Sequence, residues 1–239
     1  MQRRTRSGGP GRSAAAALAL ACAAAPLPVG ADELPEVGAR PPQWSLHDRR
    51  DDPAGAYAVY WQELPGSEIP AYRLEAILDA APEVVAAAAA RTAADPEARD
   101  SNMDKTVLRD DGDTIVVYSY IHLPLVADRD VITRAELSRD PATGIHRMSW
   151  RVSDEGPPPR PGVVRLTQSS GAWEFSPLPG GRTQVVYENH TDIGGSIPAW
   201  IVQPIMDDTV VQNFVRLRER VERDRQVQSD AAPDGEPAS

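Results

Sequence analysis

Gly162-Val163-Val164-Arg165, Ala172-Trp173-Glu174-Phe175, Gly180-Gly181-Arg182-Thr183 and Gly194-Gly195-Ser196-Ile197-Pro198-Ala199-Trp200-Ile201-Val202 punctuate the last third of the chain. In order they read as a short strand, a tryptophan strand, a tight turn into another strand, and a glycine turn that releases one long helix. Strands are expected over 163–167, 172–176 and 183–190, and the helix from Ser196 or Ile197 to Arg223. Ser196 can cap that helix, and Pro198 falls where a missing N–H costs nothing. Trp200, Ile201, Ile205, Val211, Phe214, Val215 and Val221 recur at roughly helical spacing and form its apolar stripe. Pro204 lies inside the pattern and predicts a kink or break. Asp207 and Asp208 interrupt the stripe near its middle. Arg218, Arg220 and Arg223 suit the negative end of the helix dipole. A helix with such a stripe needs an apolar bed, and a sheet that grips a helix can leave a cavity between them.

The bed lies upstream. Ala-Tyr-Ala-Val-Tyr-Trp opens a strand over 56–64 that stops at Pro65-Gly66, and a weaker strand follows over 72–77. Residues 82–94 read as a helix, with Pro82 in its first turn, an alanine run in its body and Asp95-Pro96 at its end. Strands at 103–108 and 114–123 meet at Asp110-Asp111-Gly112-Asp113, a good hairpin turn. The next pair, 131–137 and 146–152, is joined across Pro141-Ala142-Thr143-Gly144. In its second member His146, Met148, Trp150 and Val152 share one face, while Arg147, Ser149 and Arg151 share the other. One face is therefore buried and one is wet, as in an antiparallel sheet. Ser153–Gly162 holds four prolines and reads as a stiff loop. The sum is eight or nine strands, an early helix and a long terminal helix. This is an α+β fold in which a curved antiparallel sheet wraps a C-terminal helix.

The chain has 239 residues, enough for one domain or two. Arg3, Arg4, Arg6 and Arg12 precede an Ala/Leu run over 14–25, and Val29-Gly30-Ala31 follows. That pattern is a secretory signal peptide over 1–31, with an apolar run too short to span a bilayer. The expected destination is secreted or periplasmic. Cys22, the single cysteine, sits near a lipoprotein-like box, so a lipid anchor there stays open beside cleavage after Ala31. Residues 32–43 form a Pro/Gly-rich leader, the ligand-binding domain is expected over 44–225, and 226–239 read as a disordered tail. Beyond residue 31 the chain carries 21 basic and 35 acidic residues, a net charge of −14, with Lys105 its sole lysine. Such a surface repels phosphate backbones and argues against nucleic acid and against a polybasic membrane patch.

The ordered motifs resemble the START family, the steroidogenic-acute-regulatory-protein-related lipid-transfer domains, over about 180 residues from Trp44 to Val221. Arg129-Asp130-Val131 resembles the family's Arg-Asp-x-Val strand start, and Gly162–Arg165 its Gly-Val-Ile-Arg. Trp173 with Gly180–Thr183 resembles the following hairpin, and Asp192–Trp200 the lead into its last helix. The resemblance implies a helix-grip fold with an internal apolar tunnel for one lipid or sterol, gated by that helix and by the loop matching Ser153–Gly162. Many members place an arginine, with an acidic partner, where this chain has Ala135. Arg134 is one place earlier, which in a regular strand faces the other way. Asp207 or Asp208 could anchor a ligand instead.

Met148, Trp150, Trp173, Phe175, Trp200, Ile201, Ile205 and Phe214 are the expected tunnel lining, and Arg165 a candidate for the concave face. Arg129 and Asp130 read as a structural pair or turn. His47, His122, His146 and His190 lack metal-ligand spacing, and no nucleophile elbow, phosphate loop or dinucleotide fingerprint occurs. No catalytic residue, metal or cofactor is expected. The function read from the sequence is binding and possible transfer of one hydrophobic ligand by a monomer with transient membrane contact. The alternative is a helix-grip enzyme, cyclase- or hydrolase-like, for which Arg134, His190, Asp207 and Asp208 are the available polar groups.

Overall fold

A computed structural model describes residues 44–51, 56–67, 69–194, 197 and 199–231. Ten strands and two helices follow in order: β1 (Ser45–Arg50), β2 (Tyr57–Gln62), β3 (Ala71–Leu78), α1 (Pro82–Ala94), β4 (Met103–Asp110), β5 (Thr114–Ile121), β6 (Arg129–Arg139), β7 (His146–Val152), β8 (Val164–Arg165), β9 (Gln168–Leu178), β10 (Arg182–Asp192) and α2 (Ala199–Ala231). They form one curved sheet in the order β1-β2-β3-β10-β9-β7-β6-β5-β4. Every neighbour on that path is antiparallel; β8 alone runs parallel, beside the start of β6. The segment α1 carries the chain from β3 to the far edge at β4, which leaves a place for β10 beside β3. Among the described residues no helix is long and apolar enough to cross a membrane.

Both helices pack on the concave face and against each other. Helix α1 starts at Pro82, as its sequence predicts, and buries Val85, Ala88 and Ala89. Small side chains at 88 and 89 let it lie close to the sheet. Helix α2 buries Val202, Met206, Val210, Phe214, Leu217 and Val221. That spacing of three and four residues is the helical period, and each buried side chain contributes about 2 kcal/mol of gross apolar transfer.

This stripe corrects the one read from the sequence. Trp200 was expected to lead it, yet it is 73% exposed, whereas Val202 is buried. Two residues are about 200° apart around a helix, so the two cannot share a face. Nor does Pro204 break the helix. The carbonyl its ring leaves unpaired is that of Trp200, on the exposed side, where water can satisfy it. The helix also runs on to Ala231, past residue 226, where a tail was expected. Residues 1–43 and 232–239, on which the expected signal peptide, Cys22, the expected leader and the rest of the expected tail fall, lie outside the described residues, as do Ser196 and Pro198.

The strand expected over 163–167 is only two residues long. Its work is done by a side chain: Arg165 donates to both oxygens of Asp130 at 2.7 and 3.0 Å, and the Tyr118 hydroxyl donates to Asp130 at 3.0 Å. Arg165 is thus engaged on the outer face, not on the concave face. Asp130 is fully buried. The Arg165 guanidinium, with Tyr118, holds its carboxyl below the ordinary range against the upward push of burial. The stabilisation is therefore complete above the unfolded carboxylate range, near pH 4, and is lost as the pH falls through the lower folded value. Asp130→Asn takes from the half-buried Arg165 guanidinium its only carboxylate partner among the described residues, leaving it the Pro157 carbonyl, and is expected to cost about 3 kcal/mol in urea unfolding at neutral pH. The variant's stability should also fall less steeply in acid than the wild type's.

Candidate functional site

The concave face carries a transverse row of side chains set by register. Ala135 on β6 pairs with Trp150 on β7, and Trp150 with Gly171 on β9. One step along, Met148 pairs with Trp173, and Trp173 with Tyr187 on β10. Trp150 and Tyr187 stack with ring centroids 5.6 Å apart, and Trp173 lies 4.2 Å from Tyr187. Gly171 makes this wall possible. A Cβ there would sit 2.2 Å from the Trp150 ring and 2.2 Å from the Glu188 carbonyl oxygen. The indole lies flat over β9 because no side chain stands beneath it.

Between this wall and the helices lies a cavity with two contiguous lobes. The inner lobe, about 230 Å³, is walled by Val117, Ala135, Met148, Trp150 and Trp173 from the sheet, with α1 and α2 opposite. The second, about 180 Å³, is walled by Ile121, Leu123, Val131, Ile193, Val202 and Ile205. Asp100, Met103, Ser119, Thr133 and Thr209 border both. An outer groove of about 620 Å³ continues from them between Pro124 on the β5–β6 loop and Pro204 on α2.

One end of the inner lobe is polar and internally satisfied. Arg216 donates to Asp100 at 2.8 Å and to the Asn213 side-chain oxygen at 2.8 Å. Asn213 donates to the Tyr187 hydroxyl at 3.0 Å, and Thr209 to Asp100 at 3.1 Å. Burial pushes the Tyr187 phenol up, so it stays neutral. Lys105 enters the same lobe from β4 and donates to the carbonyls of Thr92 and Ala98 at 2.9 and 3.3 Å. Burial pushes its amine down to about 8, against the pull of Asp95 and helped by the repulsion of Arg216.

The residues named from sequence divide clearly. Met148, Trp150 and Trp173 meet in the inner lobe and Ile205 borders the second. Phe175 and Phe214 are fully buried but pack away from the open space, Phe175 on Trp173 and Phe214 on Tyr57. Ile201 packs against the core, and Trp200 faces outward. Arg134 pairs with Glu136 and Glu155, each at 2.9 Å, on the outer face. Ala135 faces the cavity, as the regular strand register requires. Asp207 lies 3.2 Å from His47, near β1, and Asp208 is exposed beside the outer groove, so neither borders the inner space. His190 meets Ser67 rather than Asp192, whose carboxylate accepts the Gly194 N–H.

The expected gate loop is also displaced. Ser153–Gly162 covers the outer face: Glu155 pairs with Arg109 and Arg134, Gly156 packs against Ile132 and Leu108, and Arg160 lies over Tyr118 and Tyr120. The groove is bounded instead by the β5–β6 loop and the start of α2. Sequence reading missed Lys105, Asp100, Asn213 and Arg216. For Lys105 the signal was present: it alternates with Met103 and Val107 on the half-buried face of β4. Asp100 and Arg216 meet only in the fold and leave no local pattern. No group of three or more His, Cys, Asp or Glu among the described residues could hold a metal ion.

Gly171→Ala should displace the Trp150 ring into the inner lobe or push β9 from β10, at a cost of about 2–3 kcal/mol. Thermal unfolding measures that loss, and a change in indole fluorescence reports the moved ring.

The family model for the START domain matches residues 31–227. A STAR-related lipid transfer protein fragment from Xanthomonas axonopodis shares the fold with a TM-score of 0.62 and 24% identity, over 75% of this chain and 99% of that one. Human StAR-related lipid transfer protein 5 superposes with a TM-score of 0.60 at 19% identity, over 77% and 88% of the two chains. An uncharacterized protein of Pseudomonas aeruginosa is 28% identical over 118 residues, which is 49% of this chain and 58% of that relative's length. With the gripped helix, the aromatic wall and the cavity between them in place, the chain belongs to the START domain family.

Proposed function

We propose that this protein binds one hydrophobic ligand, a lipid or sterol-like molecule, between the aromatic wall and α2, and releases it chemically unchanged. The observation that carries the reading is the pair of contiguous apolar lobes under α2, continuous with a groove to the surface. Apolar burial at roughly 25 cal/mol per Å² drives binding, less the cost of ordering the ligand. The polar groups at the inner end already satisfy one another, so they offer little to an enzyme's substrate and much to the shape of the site.

Loading takes place at the groove. Leu125 is 96% exposed with a backbone φ of 68°, and Trp200 is 73% exposed on the first turn of α2. A left-handed leucine costs about 1–2 kcal/mol. An indole one helical turn before Pro204 and a leucine next to Pro124, both of which line the groove, suit the headgroup layer of a bilayer, where Trp is favoured. The chain's negative charge directs this contact to zwitterionic rather than anionic surfaces. In this proposal the protein is a monomer working outside the cytoplasm after loss of residues 1–31.

Native mass spectrometry of the protein purified from its own cells should show a bound mass that denaturation releases. A protein that carries no mass and takes up no offered lipid would contradict the proposal. Ala135→Leu fills the inner lobe and should weaken binding roughly tenfold, about 1.4 kcal/mol, with little change in unfolding. Trp200→Ser with Leu125→Ser should slow transfer from zwitterionic vesicles while leaving equilibrium affinity unchanged. An exported protein beginning at Asp32 fits a free carrier, whereas an acylated Cys22 would make it an anchored one.

A further inference from the structure

Lys105 is the sole lysine of the chain, and it stands in the wall of the inner lobe. On β4 it occupies the inward parity between Met103 and Val107, opposite Ser119 of β5. Its Nζ donates to the Thr92 and Ala98 carbonyls, and among the described residues no carboxylate lies at ion-pair distance. An ammonium has three N–H groups to place, whereas a neutral amine has two. Two carbonyls therefore satisfy the neutral amine completely and leave its lone pair free. The third proton of the charged form has no further acceptor among the described protein groups. A neutral, partly desolvated amine beside an apolar wall is a nucleophile toward carbonyl carbon.

We propose that the cavity captures hydrophobic aldehydes or ketones as a reversible imine on Lys105. This rests on the reading of the cavity as a ligand site and names one chemical class for it. The Nζ lone pair attacks the carbonyl carbon, and the carbonyl oxygen takes the proton released from nitrogen, giving a carbinolamine. Its hydroxyl takes a proton from solvent and leaves as water, and the nitrogen lone pair forms the C=N bond of an iminium. The single N–H that remains can still donate to Thr92, and the Ala98 carbonyl loses its donor. Asp95 at the end of α1 attracts the positive charge, Arg216 of α2 repels it, and Asp100 and Arg99 border the same lobe. Burial holds the free amine near 8, so a usable neutral fraction exists at physiological pH and grows as the pH rises. A captured ligand would be held against loss until water reverses the bond.

The probe is decanal with sodium cyanoborohydride, which reduces an iminium to a stable secondary amine, read by intact mass and peptide mapping. The expected result is one decyl group on Lys105, added roughly tenfold or more faster than to the exposed amine introduced by Arg139→Lys in the same chain. The rate should climb as the pH passes about 8. 1-Decanol, which has the chain without the carbonyl, should slow the labelling of wild-type protein; this arm needs no folded variant. Lys105→Arg should abolish the adduct, and 1-decanol binding to the wild-type protein is followed by indole fluorescence. A protein that binds 1-decanol but labels Lys105 no faster than the exposed amine would overturn the imine and leave the carrier standing. A protein that binds neither compound would overturn both.

Discussion

The apolar stripe of α2 must lie somewhere out of water, and the concave face of the sheet is where it goes. Val202, Met206, Val210, Phe214, Leu217 and Val221 are all buried, and of the polar residues Thr209, Asn213 and Arg216 turn to the cavity beside them. A helix is a straight rod and the sheet is curved, so the two surfaces cannot touch along their whole length. Where Phe214 reaches Tyr57 and Val221 reaches the core they fill the gap. Where Ala135, Thr133 and Ser119 replace larger side chains on the sheet, the gap stays open. The cavity is thus a by-product of packing two shapes with small residues at chosen positions, and the aromatic wall fixes its extent.

Gly171 and Trp150 show how finely this is set. The glycine is conspicuous only in three dimensions, because its missing Cβ is the space the indole occupies. A family-style arginine at Ala135 would project into the same lobe, and Arg134 cannot substitute because its strand parity turns it to Glu136 and Glu155. The inner polar groups are instead bound up in the Asp100–Arg216–Asn213–Tyr187 chain and in the Lys105 contacts to α1. In the proposed carrier, specificity rests on shape, with Lys105 an amine on the wall.

Much of the fold was legible because local chemistry and tertiary need agreed. Pro82 and the alanine run gave α1 its observed bounds, and alternation gave β7 its inward Met148 and Trp150. β1 was not legible: Ser-Leu-His-Asp-Arg-Arg is a largely exposed edge strand with no alternation to read. The phase of α2 was misread because Trp200 is the largest apolar residue at its start, and size was mistaken for burial. A helix selects the face that keeps Asp208 and Pro204 off the core, and that face runs through the smaller Val202 and Met206. The site was legible on the strands, where parity is strict. It was illegible on the loop at Arg99 and Asp100 and on α2, whose contributions depend on a rotation no single window reveals.

The central claim is that a ligand lies between Trp150, Trp173 and α2. Five tryptophans complicate any fluorescence signal, so Trp44, Trp61 and Trp200 would be replaced by Phe, leaving the two wall indoles. Quenching of that protein by a bromine-labelled single-chain lipid tests contact directly. The account predicts saturable, stoichiometric quenching, relieved by the unlabelled lipid and absent when only Trp200 is retained in the protein and no membrane is present. Binding of the brominated lipid without quenching of Trp150 and Trp173 would contradict it.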